Sequence, residues 1–150
     1  MAGHTFVSLH VHLVFSTRLR EPMIGKEWQP RLYGYTGGIV RNLKCVLLAA
    51  GGMPDHVHYL VGMHQSVAPA DLLRTIKANS SAWVHETIGL PSFAWQEGYG
   101  AFAVSKSSLE AAKNYINTQE EHHRTQTFKE ELIKLLDKHE IPYDPRYVFD

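Results

Sequence analysis

Cysteine is almost missing from this chain: Cys45 is the only one in 150 residues. That excludes an internal disulfide framework and suits a reducing, cytoplasmic setting. Within KCVLLAA the lone thiol reads as a small buried hydrophobe. Long apolar runs are missing too. None approaches the ~20 residues of a membrane-spanning helix, so no membrane partner is expected. The opening MAGHTFVSLH lacks a basic stretch followed by an apolar core, which argues against a secretory signal. Net charge is missing as well: fifteen Lys and Arg balance fifteen Asp and Glu, unlike a protein that simply wraps duplex DNA. No internal repeat and no low-complexity segment appears.

What is present points to a folded domain with a chemical site. A hydrophobic share of 44% is too high for a disordered chain, and the length fits one domain over residues 1–150. Ten histidines are a heavy load. The charge is unevenly spread. Residues 1–50 carry six bases (Arg18, Arg20, Lys26, Arg31, Arg41, Lys44) and two acids (Glu21, Glu27), a net of +4. Residues 107–150 carry six bases and nine acids, a net of −3, which reads mainly as solvated helix faces.

Thr5–Thr17 alternates strictly, with Val7, Leu9, Val11, Leu13 and Phe15 on one face and Ser8, His10, His12 and Ser16 on the other, as a half-buried strand does. Residues 28–43 predict a helix with Pro30 in its first turn. Residues 44–50 and 56–63 predict two strands of a hairpin joined by the turn GGMPD, with His56, His58 and Leu60 facing away from Val57, Tyr59 and Val61. A helix is expected over 68–88, with Ser66 as its cap, and a short strand over 101–105. Ser107 and Glu110 suggest a capping box for a helix running to about His123, and a last helix is expected over 127–138. The order β-α-β-β-α-β-α-α is α+β. It is the ferredoxin-like split βαβ arrangement: an antiparallel-rich sheet with helices mainly on one face, plus C-terminal helices.

Two groups of residues can carry chemistry. His-Val-His occurs at 10–12 and again at 56–58. On a strand, side chains at i and i+2 point the same way, so two imidazoles project side by side as a bidentate metal grip. Spacing qualifies both pairs and does not choose between them. On the helix after Ser107, Tyr115, Gln119 and His122 fall at i, i+4 and i+7 and share a face. A tyrosine there is ordinarily core, but Gln119 and His122 are odd members of a core stripe.

GGMPDHVHYLV (51–61), WQEGYGAFAVS (95–105) and YINTQEEHH (115–123), with HLVFSTR (12–18) before them, resemble landmarks of the HUH single-tyrosine transposases of insertion sequences and their relatives at repetitive extragenic palindromes. The resemblance spans nearly the whole chain in order. It implies His56 and His58 as metal ligands, Gln119 as third ligand, Mg²⁺ or Mn²⁺ as the metal, and Tyr115 as the nucleophile. It further implies a single-stranded DNA substrate with a hairpin, and a homodimer whose tyrosine helix completes the partner's site in trans. Strands one and three of such a sheet are neighbours, so His10 and His12, together with His122, are candidate supporting groups around the metal.

Single strands are bound by a positive groove and aromatic platforms. Arg18, Arg20, Lys26, Arg31, Arg41, Arg74 and Lys77 are candidates for the first, and Trp95, Tyr99 and Phe102 for the second. The expected function is therefore a metal-dependent DNA transposase. Two alternatives stand beside it: a domesticated, non-catalytic hairpin-binding domain of the same fold, and a metal-dependent phosphodiesterase in which Tyr115 is structural. The latter lacks an obvious third His or carboxylate near the HVH apart from Asp55.

Overall fold

The computed structural model describes residues 3–148. Its sheet has four antiparallel strands, β1 (His10–Ser16), β2 (Val46–Met53), β3 (His56–Gly62) and β4 (Gly100–Ala103), in the order β2-β3-β1-β4. Helix α1 (Gln29–Asn42) connects β1 to β2, and α2 (Pro69–Trp83) connects β3 to β4. Three further helices follow: α3 (Leu109–Asn117), α4 (Gln119–His122) and α5 (Phe128–Lys138). This is the ferredoxin-like order expected from the sequence.

The alternation on β1 and β3 decides which residues meet. Leu13, Phe15, Val57, Tyr59 and Val61 share one sheet face and pack with Leu32, Val40, Leu72 and Ile76 of α1 and α2 into the main core. His12, Val14 and Ser16 share the opposite face with His56, His58 and Leu60. That second face differs from the half-buried strands expected. Both strands are buried on both sides, because the C-terminal helices cover the polar face. Leu109 and Ile116 of α3 pack on Ala49 and Leu60. Phe128 and Leu132 of α5 pack on Val14 and Phe102.

Several boundaries depart from the sequence reading for identifiable reasons. β1 starts at His10, since Val7 and Leu9 are exposed. β2 continues through Gly51 and Gly52 to Met53, leaving only Pro54 and Asp55 as the turn. α2 passes into a π-turn over Val84–Ile88, stopped by Gly89 at φ 82°. Its N-cap is Ala68, while the Ser66 hydroxyl bonds the His64 ring at 2.7 Å instead.

The expected Ser107–Glu110 box does not form, because Lys106–Ser108 make a 3₁₀ turn. A capping box forms instead at α5, where the Glu130 N–H donates to Thr127 Oγ1 at 3.2 Å. The single helix expected to His123 breaks at Thr118, whose hydroxyl donates back to the Asn114 carbonyl at 2.7 Å. Such back-bonding competes with the helical ladder and bends helices.

Gly51 sets the depth of α3. A β-carbon there would lie 1.9 Å from the Ile116 carbonyl oxygen. The helix that carries Tyr115 therefore rests directly on the backbone of β2. Gly51→Ala is expected to push α3 outward and to destabilise the protein by about 1–3 kcal/mol, the usual cost of overpacking. Urea unfolding checks this, and an unchanged midpoint would contradict it.

Candidate active site

His56 and His58 project from the same face of β3, fully buried, with their Nε2 atoms turned toward one point. Their Nδ1 atoms are held from behind. Asp55 Oδ1 is 2.6 Å from His56 Nδ1, and His12 Nε2 is 2.7 Å from His58 Nδ1. The Asp55 bond places a hydrogen on His56 Nδ1 and leaves Nε2 as a lone-pair donor. This is how metal-binding histidines are usually oriented.

Glu131 of α5 occupies the point of convergence. Its Oε1 is 2.8 Å from His58 Nε2, 3.4 Å from His56 Nε2 and 3.2 Å from His123 Nε2. Its Oε2 accepts a short hydrogen bond from the Tyr115 hydroxyl. Gln119, also buried, donates from Nε2 to the Tyr115 carbonyl at 3.2 Å and turns Oε1 toward His56 Nε2 at 3.4 Å. The ligand atoms of His56, His58 and Glu131 lie within 4.8 Å of one another. Two ring nitrogens, one amide oxygen and one carboxylate form a mixed donor set suited to a divalent cation.

Burial would push Glu131 up, but the facing imidazoles of His123, His56 and His58 outweigh it and hold the carboxyl well below its usual range. Burial would likewise lower His56, and the Asp55 and Glu131 carboxylates outweigh it and raise its pKa. His58 remains lowered by burial despite Glu131. Burial and the neighbouring carboxylate both push the Tyr115 hydroxyl upward. The phenol is thus held protonated. A cleft of about 990 Å³ opens beside it, with His12, Tyr115, His122, Glu131, Lys134 and Lys138 in its wall.

Residues 5–119 match the family described as Transposase IS200 like. The chain belongs to the IS200-like transposase family. Transposases cut and join DNA. Two solved structures share the fold of this IS200-like transposase. One, assigned as a transposase from Deinococcus radiodurans R1, gives a TM-score of 0.63 at 23% identity, covering 77% of this chain and 95% of that one. The other is a REP-associated tyrosine transposase bound to a REP hairpin, with a TM-score of 0.56 at 16% identity, covering 77% and 70%. At these identities the likeness is one of fold. A search of the curated proteins returns no match.

In the IS200-like transposase, the residues singled out by sequence are partly united. His56, His58, Gln119 and Tyr115 meet within one chain, and His12 joins them through His58. The His122 ring lies tilted against the Tyr115 ring at 4.5 Å between centroids. His10 lies farther along β1, with a buried Nδ1 that has no hydrogen-bond partner. Within this chain α3 packs on β2 and β3.

The cation candidates are scattered. Arg31, Arg41, Arg74 and Lys77 belong to α1 and α2, across the sheet from the histidines. Arg31 lies over Trp83, and Arg74 pairs with Asp71 at 2.7 Å. Lys77 donates to the carbonyls of Gln96, Glu97 and Gly98, and burial pushes its pKa down to about 8. Lys26 pairs with Glu120 at 3.0 Å, while Arg18 and Arg20 are exposed after β1. Trp95 packs on the main core and Phe102 is buried in the separate cluster with Val14, Phe128 and Leu132, so of the three aromatic candidates only Tyr99 is exposed.

Sequence reasoning missed Glu131 in the acidic tail, and it also passed over Lys134 and Lys138. A signal was present: Glu131 falls within the stripe Phe128, Leu132, Leu135, where a carboxylate needs a partner.

The buried histidines make acid costly. Burial first, and His58 second, push His12 down to about 3 from an ordinary 6.5. Its contribution is therefore present above pH ~6.5 and is lost as pH falls toward ~3, at up to about 1.4 kcal/mol per unit. His58 acts with the same sign. His56, being raised, stabilises below its unfolded pKa and opposes them. In chelator, His12→Gln should remove about 2 kcal/mol of the loss in unfolding free energy between pH 6.5 and 5. Urea titrations with the same pH slope in both proteins would refute this.

Proposed function

We propose that this chain acts as a single cytoplasmic domain, residues 1–150, that cuts and rejoins single-stranded DNA at element ends through a covalent 5′-phosphotyrosine on Tyr115. His56, His58 and Gln119 would hold Mg²⁺ or Mn²⁺. One observation carries the reading: a nucleophile-type hydroxyl and the inward nitrogens of two histidines meet on the same buried carboxylate, at the floor of an open cleft. A divalent cation at that point would polarise a non-bridging phosphate oxygen and offset the developing charge.

Tyr115 supplies the attacking oxygen. Its bond to phosphorus forms as the bond from phosphorus to O3′ breaks, and the electron pair leaves on O3′. The phenol loses a proton and O3′ gains one, so the step is neutral in protons. A phosphotyrosine is close in energy to the phosphodiester it replaces, so attack by another 3′-OH rejoins the strand without ATP. Glu131 keeps the hydroxyl protonated in the resting arrangement, and an incoming phosphate takes over that contact. Lys134 and Lys138 in the cleft wall suit the strand's phosphates. The hairpin substrate is supported by the relative that is bound to a REP hairpin.

A second reading is favoured by one feature. His56, His58 and Glu131 form a two-histidine, one-carboxylate set like that of hydrolytic metal sites, so the chain could be a phosphodiesterase without a tyrosine adduct.

A hairpin oligonucleotide labelled at either end, incubated with Mn²⁺, separates these readings. The transposase reading requires a denaturation-resistant protein–DNA adduct that carries the 3′ label, and its loss in Tyr115→Phe. Cleavage by Tyr115→Phe would support the phosphodiesterase. Binding without cleavage would support a non-catalytic domain. Chelator should stop cleavage and spare binding. Mixing Tyr115→Phe with His58→Ala chains tests the arrangement. A site in cis regains no cleavage, whereas the homodimer sharing sites in trans regains it.

A further inference from the structure

The match to the family ends at residue 119, and the element that brings Glu131 to the histidines lies beyond it. We propose that Glu131 is a fourth protein ligand of the metal, and that metal binding and the docking of α5 are one linked equilibrium. This inference rests on the reading that His56 and His58 hold a divalent cation.

Geometry argues for it first. One oxygen, Oε1, stands at the focus of three ring nitrogens, 2.8 Å from His58, 3.2 Å from His123 and 3.4 Å from His56. His56 already gives its Nδ1 hydrogen to Asp55, so a carboxylate facing its Nε2 calls for positive charge between them. A cation meets that need while both rings stay neutral. The carboxylate itself is only 1% exposed. Burying such a charge is expensive unless it is paired or coordinates a metal.

The attachment of α5 argues for the linkage. Its apolar anchor is a small cluster, Phe128 and Leu132 on Val14 and Phe102, separate from the main core. Leu135 and Leu136 pack against the same cluster and Phe128 stacks on His56, and the bonds of Glu131 add the polar tie that holds the helix over the site. If docked α5 tightens metal binding, bound metal must favour docked α5 by the same factor. The competing role for Glu131 is that of a counter-ion to the histidines, standing where the metal would go. That role has the opposite sign, because removing the carboxylate would then leave metal binding unchanged or tighter.

The test uses the full chain with Mn²⁺ as the probe, measured by titration calorimetry and by amide hydrogen exchange. Wild type should bind Mn²⁺, and His56→Ala should lose that binding. Glu131→Gln, which keeps the shape of the side chain, should bind at least tenfold more weakly, and Glu131→Ala likewise. In wild type, saturating Mn²⁺ should slow exchange over 128–138 at least tenfold, and in Glu131→Gln it should not. Unchanged or tighter Mn²⁺ binding by Glu131→Gln overturns the inference and leaves the metal reading intact. Wild-type exchange over 128–138 that ignores bound Mn²⁺ does the same, and it decides the matter even if both variants fail to fold. A wild type that binds no Mn²⁺, or a His56→Ala that still binds it, overturns the metal reading itself.

Discussion

Everything on the polar face of the sheet is arranged around one buried carboxylate. Glu131 is nearly sealed from solvent, and a bare negative charge in that position would not be tolerated. Its two oxygens divide the surroundings. One faces the ring nitrogens of His56, His58 and His123, and the other accepts from Tyr115. The need to satisfy that charge brings together residues from β3, α3, the segment after α4, and α5. It also explains why histidines that would face water on a half-buried strand are instead sealed beneath helices.

A second layer of contacts fixes the first. Asp55 orients His56, and His12 orients His58, so neither ring can turn without breaking a short hydrogen bond. Gln119 is tied to the Tyr115 carbonyl across the break at Thr118, which keeps its amide oxygen facing His56 although the helix itself is interrupted. Such fixed donors lose little entropy when a ligand arrives. The loop over residues 96–98 is steadied separately by Lys77, whose ammonium gathers three carbonyls. A residue that reads as a phosphate contact in the sequence is thereby an internal brace.

The sequence made the sheet legible because period-2 alternation is a local signal. Leu13 and Phe15, and Val57, Tyr59 and Val61, mark the core face directly, and the two HVH pairs mark its opposite. The pairing of β1 with β3 then joins His12 to His58, a contact available from topology alone. What local pattern could not give was the covering of that opposite face. The tail looks like solvated acidic helix, since Glu120, Glu121 and Glu130 are indeed exposed, and Glu131 differs from them only in its place on the stripe of Phe128 and Leu132. Caps were misread for a similar reason. Ser107 with Glu110 and Thr127 with Glu130 carry equivalent signals, and only the chain's path after β4 decides which one begins a helix.

The glycine at position 51 has a mechanical consequence. Where a helix packs on a sheet through side chains, those side chains act as a compliant cushion and absorb small displacements. Between Gly51 and Ile116 there is no cushion, because backbone meets backbone. The hairpin that bears the histidines and the helix that bears the tyrosine must therefore travel as a single lever. A twist of β2 and β3 would carry Tyr115 with it and preserve the spacing between the tyrosine and the histidines.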